Sequence, residues 1–265
     1  MNDTLLLARD GAVATLTLNR PESLNVLGLD MIDALVTHAT ALATDTSVRC
    51  VVIRGAGKHF MAGGDIRMFA ERLALPAPER QREIGVIIEH VHAAIEQMQR
   101  MPQPIIASVH GAVAGFGLSL MGACDLALAA DTAYFTSAYR HIGVTPDGSS
   151  TWTLPRLVGL KKAMEIVLLG DRFDAQEALR LGLVNRVVPA ATLAGATATL
   201  ANILANGPAL AMANGKRLIN QSFSQSLSGQ LAAEAASFSA CAARDDFAEG
   251  VRAFLDKRPP RFGQS

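Results

Sequence analysis

The feature that most constrains this chain is the run from position 101 to 124, which contains no Asp, Glu, Lys or Arg. On length alone such a run can cross a bilayer, whose hydrocarbon core takes about 20 apolar residues of helix. Its composition argues otherwise. Pro102, Pro104, His110 and four glycines (Gly111, Gly115, Gly117, Gly122) interrupt it. It reads instead as interior structure: a strand at 105–109, a small-residue loop at 111–117 and a buried helix at 118–124. An interior segment of this kind needs a large core around it. Half of the 265 residues are apolar and only 18% are charged, below the ~25% usual for soluble domains. Intrinsic disorder is excluded, and the length fits one or two domains.

The 24 basic and 24 acidic residues cancel. A nucleic-acid partner is therefore not expected, since phosphate binding needs a basic surface. Neutrality also does nothing to oppose self-association. Cys50, Cys124 and Cys241 are odd in number, widely spaced and form no CxxC, so neither a disulfide framework nor a zinc site is expected. Met1-Asn2-Asp3-Thr4 offers no basic region ahead of Leu5, which reads as no secretory signal. A cytoplasmic protein, with no membrane partner and no metal, is the expectation.

Apolar runs at 4–8 and 13–18 flank Arg9-Asp10-Gly11-Ala12, a hairpin signal. Met31, Ile32, Leu35, Val36, Ala39 and Leu42 recur at helical spacing, and a β-branched strand at 50–54 runs into glycines. A polar helix is expected from about 79 to 100, stopping at Pro102. Asp174-Ala175-Gln176-Glu177 is a capping box, in which each acidic side chain can satisfy a free amide. That helix should end by Gly182, with a strand at 183–188. Beyond about 190 the chain turns Ala-rich and helical, giving a division into 1–195 and 196–265.

The glycine loops fail the nucleotide motifs. Gly57-Lys58 has Val52 where a phosphate loop needs glycine and His59 where it needs Ser or Thr. Gly115-Phe116-Gly117 is followed by Leu120 at the position of the third dinucleotide glycine. No HExxH or GxSxG occurs. What remains is two strands that each run into a small-residue loop, the second of which opens a helix. Such loops let a ligand oxygen reach main-chain N–H groups, and two convergent amides make an oxyanion hole worth roughly 3–4 kcal/mol per donor in a transition state. On the residues alone, tight turns and close packing explain the same glycines more simply.

Several blocks together resemble the enoyl-CoA hydratase/isomerase (crotonase) family. They are Asn19-Arg20-Pro21-Glu22-Ser23-Leu24-Asn25, Phe60-Met61-Ala62-Gly63-Gly64-Asp65, the segment 104–125, the segment 142–159 and Glu177-Ala178-Leu179-Arg180-Leu181-Gly182-Leu183-Val184. The resemblance implies an α/β spiral of ββα units followed by C-terminal helices that mediate trimers, or dimers of trimers. It implies an acyl-CoA thioester as substrate, with coenzyme A entering as part of that substrate and no separate cofactor. The thioester oxygen would lie between the amides of Ala62 and Phe116. The coenzyme would run past Ser23, Leu24 and Asn25 and past Ala62, Gly64, Asp65 and Ile66, with Lys257 meeting its phosphates.

The resemblance also locates a departure. Hydratases of this family place two glutamates around the attacking water, and the matching positions here hold Ser119 and Tyr139. Neither is a carboxylate base. One carboxylate, Asp147, stands where family isomerases and dehalogenases use one, although Pro-Asp-Gly is also ordinary turn chemistry. The expected activity is therefore an enoyl-CoA isomerase in which Asp147 moves a proton through an enolate. Tyr139 would line the acyl pocket and donate a hydrogen bond. A hydratase is the alternative, then a dehalogenase or hydrolase, then a non-catalytic CoA-binding protein. His92 reads as a half-exposed helical histidine, Ser119 as a small residue making room, and Asp65 as a helix cap. Asp125 and Cys124 read as structural. Trp152 and Phe116 are candidates to shape the acyl cavity.

Overall fold

A computed structural model describes residues 3–263; Met1 and Asn2, read above for a signal, lie outside the described residues. The strands run in chain order as β1 (Leu5–Asp10), β2 (Val13–Leu18), β3 (Cys50–Gly55), β4 (Ile105–Val109), β5 (Ala112–Ala114), β6 (Leu126–Ala130), β7 (Tyr134–Thr136), β8 (Phe173–Asp174) and β9 (Arg186–Val188). They form a six-stranded sheet in the order β1-β2-β3-β4-β6-β9 and a three-stranded sheet in the order β5-β7-β8. The β1–β2 hairpin is antiparallel, with Asp10 opposite Val13. Every later pairing of the large sheet is parallel.

The helices are α1 (Leu29–Thr44), α2 (Ile66–Ala70), α3 (Ala77–Arg100), α4 (Phe116–Gly122), α5 (Ser150–Val158), α6 (Leu160–Leu169), α7 (Ala175–Arg180), α8 (Leu193–Ala205), α9 (Ala209–Ser222), α10 (Leu227–Ala242) and α11 (Asp245–Leu255). The layering follows from the connections. β4 of the large sheet runs straight into β5 of the small one and then into α4. β6 runs in the same way into β7, and β3 leads to Met61, which bridges Val113 of β5. This repeated strand–strand–helix step is the expected ββα pattern. Central β4 is buried at all five positions, as a parallel strand covered on both faces must be. One face carries α1 and α3, whose Met31, Leu35, Val91 and Ile95 join the main core. The other face carries α8.

Three expectations need correction. The loop expected over 111–117 contains a strand, β5, because Ala112–Ala114 can pair with β7 once both are buried. The helix expected at 118 begins two residues earlier, at Phe116. The strand expected at 183–188 is confined to Arg186–Val188; Leu183 and Val184 are buried as core anchors without pairing. Positions 195 and 196 lie within α8, whose Leu200 and Ala201 pack with Val52, Ile106 and Leu128 against the large sheet. The capping box is half-formed. Asp174 accepts from the Glu177 N–H at 2.8 Å, but the Glu177 carboxylate turns to Arg180 at 2.6 Å instead of reaching back.

Among the described residues no helix is long and apolar enough to cross a membrane. The uncharged run at 101–124 is spent on β4, β5 and α4, as its prolines and glycines required.

Candidate active site

Two loops meet where the small sheet ends. The segment after β3 pairs on one side with β5: Met61 N–H donates to Ala112 O at 3.1 Å, and Met61 O accepts from Ala114 N–H at 2.9 Å. On its other side it pairs with residues 24–27. Ala62 N–H donates to Leu24 O at 3.0 Å, Leu27 N–H to Gly63 O at 2.8 Å and Asp65 N–H to Leu27 O at 2.9 Å. The expectation for Ala62 is thereby corrected, because its N–H is already committed to Leu24. Gly64 is the bridge residue opposite Leu27. Both bonds around that bridge belong to its neighbours, so the Gly64 N–H faces away from residues 24–27 and has no acceptor among the described residues. Gly63, with φ of +106°, provides the twist between these two amides.

The second loop supplies a matching donor. Phe116 is the first residue of α4 and has no carbonyl one turn earlier to receive its N–H. The helix start is pressed against the first loop. A Cβ on Gly115 would sit 3.3 Å from the Gly63 Cα, and one on Gly63 would sit 3.9 Å from the Phe116 nitrogen. A Cβ on Gly117 would land on the Met61 carbonyl oxygen. The glycines thus serve close packing, which sets Gly63, the neighbour of Gly64, against the start of α4; neither the Gly64 nor the Phe116 N–H has an acceptor among the described residues.

Next to Phe116 lies a chain of hydroxyls ending on a carboxylate. Tyr139 OH donates to Asp147 Oδ1 at 2.5 Å. Having spent its only proton, Tyr139 accepts from Ser119 Oγ–H at 3.0 Å, and Ser119 Oγ in turn accepts from Ser150 Oγ–H at 2.5 Å. The carboxylate sets the direction of the whole chain, and successive donors polarise one another. Burial pushes the Asp147 carboxyl above the usual 3.8, against the pull of the Tyr139 hydroxyl, which favours the charged form. Burial, then the Asp147 charge, pushes the Tyr139 hydroxyl up as well, so Tyr139 remains a donor.

Asp147 does occupy a turn: its carbonyl accepts from Ser150 N–H at 3.2 Å. The turn is tightly set. Gly148 has φ of +59°, and a Cβ there would come within 2.6 Å of the Phe116 ring and 2.9 Å of Ser119 Cβ. Its N–H donates to His92 Nε2 at 3.1 Å. Sequence reasoning passed over Ser150 and understated His92. Nothing in the local spacing signals contacts between α3 and a loop 56 residues away.

The expected coenzyme-contacting residues divide. Leu24 and Ile66 are exposed beside the free amides. Asn25 is fully buried, and its side chain is consumed: Oδ1 accepts from Arg20 N–H at 2.8 Å, while Nδ2 donates to Ala56 O and His59 O. It clamps the loop and has no group left for a ligand. Ser23 Oγ donates to Arg20 O at 3.3 Å. Asp65 caps α2 through Arg67 N–H at 3.0 Å and also pairs with Arg20 at 2.9 Å. Lys257 is exposed just past α11, with no side-chain bond to this loop among the described residues. Trp152 is half-exposed beneath the Arg156 guanidinium, which lies 3.9 Å from its ring centre. Asp125 and Cys124 are structural as expected. Asp125 accepts from Ile105 N–H and pairs with Lys216, and Cys124 Sγ donates to Leu120 O.

A family model described as enoyl-CoA hydratase/isomerase matches residues 8–265. The chain is 35% identical to the 1,2-epoxyphenylacetyl-CoA isomerase of Escherichia coli, over 99% of each chain. It is 33% identical to the crotonyl-CoA hydratase of Syntrophomonas wolfei, over 98% of each. Among solved structures it resembles an enoyl-CoA hydratase from a Polaromonas species, with a TM-score of 0.89 and 36% identity over 97% of this chain and 98% of that one.

Proposed function

Because this chain belongs to the enoyl-CoA hydratase/isomerase family, we propose that it isomerises an enoyl-CoA thioester through an enolate held by the Gly64 and Phe116 amides. The thioester oxygen takes both free N–H groups, so charge that builds on it during proton removal is met by donors already in place. Each such donor is worth roughly 3–4 kcal/mol in a transition state. Asp147 removes the proton and returns it at another carbon. Its partly buried carboxyl, held above the ordinary range, is better matched to that task near neutrality than an exposed one.

The observation that carries the reading is the Asp147–Tyr139–Ser119 chain. In this chain one carboxylate, Asp147, is served by the hydroxyls that stand at the other two candidate positions, which supports the reading of Asp147 as the base. Addition of water needs a group to activate the water and another to protonate the α-carbon, and a lone carboxylate suits proton shuttling better. Ser119 is fully buried and bonded on both sides, so it is neither a nucleophile nor a water activator.

Coenzyme A is substrate here, and its adenosine end would follow Leu24 and Ile66, the exposed residues beside the free amides. Self-association accompanies this reading. Phe254 and Leu255 are 84% and 73% exposed, an apolar face that a second copy would cover.

The test is incubation with 3-hexenoyl-CoA and, separately, crotonyl-CoA in deuterium oxide. The proposal expects the 2-enoyl product with deuterium incorporated, abolished in Asp147→Asn. Rapid formation of 3-hydroxybutyryl-CoA without double-bond migration would establish a hydratase instead. Undiminished exchange in Asp147→Asn would remove Asp147 as the base.

A further inference from the structure

The hydrogen bond between Gly148 and His92 carries information beyond its length. A backbone N–H can only donate, so the His92 Nε2 that receives it at 3.1 Å bears a lone pair. An imidazolium has N–H at both positions and cannot take this bond. His92 is therefore held neutral, with its proton on Nδ1, whenever Gly148 is bonded to it.

The consequence falls on Asp147, because the amide in question belongs to the Asp147–Gly148 peptide. That peptide plane is fixed at three places. The Gly148 Cα is backed by the Phe116 ring and Ser119 Cβ. The Asp147 carbonyl accepts from Ser150 N–H. The third hold is His92, which reaches in from α3, whose Val91 and Ile95 are buried in the core. Tyr139 then orients one carboxylate oxygen, but it acts on a side chain whose backbone is already placed. Since the same loop abuts Phe116, one histidine sets the base relative to the free amide at the start of α4.

We propose that His92 is a positioning residue for this site: as a neutral hydrogen-bond acceptor it anchors the Asp147–Gly148 peptide and so aims the Asp147 carboxylate. It transfers no proton itself. The inference rests on the role assigned to Asp147, and the two fail in distinguishable ways. A wild-type enzyme that exchanges no label from any acyl-CoA overturns the role of Asp147 before any variant is made. The His92 inference is decided by variants of an active enzyme.

The experiment compares His92→Ala and His92→Gln with the unaltered protein, following deuterium exchange into 3-hexenoyl-CoA. A misplacement of about 1 Å costs on the order of 100-fold in rate. His92→Ala should lose roughly 10- to 100-fold in kcat with KM changed less than about threefold. Gln has a side-chain carbonyl that can accept the Gly148 N–H, and His92→Gln should recover most of the loss. A group that moves protons is not replaced by Gln, so equal inactivity of both variants overturns the proposal, as does full activity of His92→Ala.

Nitrogen NMR of the histidine-labelled protein gives a readout independent of turnover. It should show Nε2 unprotonated and Nδ1 carrying hydrogen. The Gly148 amide should exchange with solvent faster in His92→Ala and be protected again in His92→Gln. Finding hydrogen on Nε2 in the unaltered protein, or no change at Gly148, contradicts the inference even if a variant folds poorly.

Discussion

Replacing Tyr139 with Phe removes one oxygen, and the structure allows the effect to be worked out. The Asp147 carboxyl stands above its ordinary value because burial penalises its charge. The hydroxyl at 2.5 Å acts the other way, stabilising the charged form. A hydrogen bond to a charged group is worth about 1.5–3 kcal/mol. At 1.36 kcal/mol per pKa unit, losing it should raise the Asp147 pKa by a further ~1–2 units. The ionised carboxylate is the base, so the acid limb of kcat/KM should move to higher pH by that amount. The plateau above it should change little, since a more basic carboxylate still removes the proton. Below the limb the variant should fall behind by roughly 10- to 100-fold.

Stability should follow the same sign. A carboxyl whose folded pKa lies above its unfolded value binds more protons folded than unfolded. Stability therefore declines as pH rises from about 3.8 through the folded pKa. In Tyr139→Phe that decline should extend further upward. The assay is a pH–rate profile of deuterium exchange for both proteins, with urea midpoints at matched pH. An acid limb that stays in place, or moves down, would refute the assignment of Tyr139 as the donor that sustains the Asp147 charge.

Lys216→Met tests what joins α9 to the core: the ammonium, 9% exposed, donates to Met98 O, Gln103 O and Asp125 Oδ2. Leaving Asp125 without its partner should cost ~3 kcal/mol in urea unfolding at neutral pH, and the loss should shrink as pH falls and Asp125, already raised by burial, takes a proton. Equal loss at every pH would contradict the electrostatic account. Gly117→Ala drives a methyl group into the Met61 carbonyl oxygen, a backbone atom with no room to move. It should destabilise by ~3 kcal/mol and abolish exchange activity; a normal urea midpoint would show that α4 is packed more loosely than described.

Much of the framework was legible because it is periodic. The hairpin, α1, α3 and β4 follow from apolar spacing, and Pro102 marks where α3 has to stop. The C-terminal helices follow from alanine-rich composition broken at Gly207-Pro208. β5 was not legible, because three small residues carry no strand signal until β7 lies beside them. The Glu177 half of the capping box lost to a local partner, Arg180, one turn ahead. At the site, the blocks of residues located the right loops, but they placed the first free amide at Ala62 when the pairing with residues 24–27 leaves it at Gly64. Which N–H points outward depends on the phase of a ladder between distant segments, and a sequence records no phase. Asn25 was misread for a related reason. A polar residue in a loop looks available until the carbonyls of Ala56 and His59 are seen closing on it.

The central claim is that two main-chain amides, Gly64 and Phe116, polarise the thioester carbonyl. Isotope-edited infrared spectroscopy of crotonyl-CoA carrying carbon-13 at C1 addresses it directly, because hydrogen bonds to a carbonyl oxygen weaken the C=O bond. Binding should shift the thioester band to lower frequency than in water, and the shift should persist in Asp147→Asn, where chemistry is blocked but both amides remain. A bound ligand whose carbonyl band stays at or above its aqueous frequency would contradict the account.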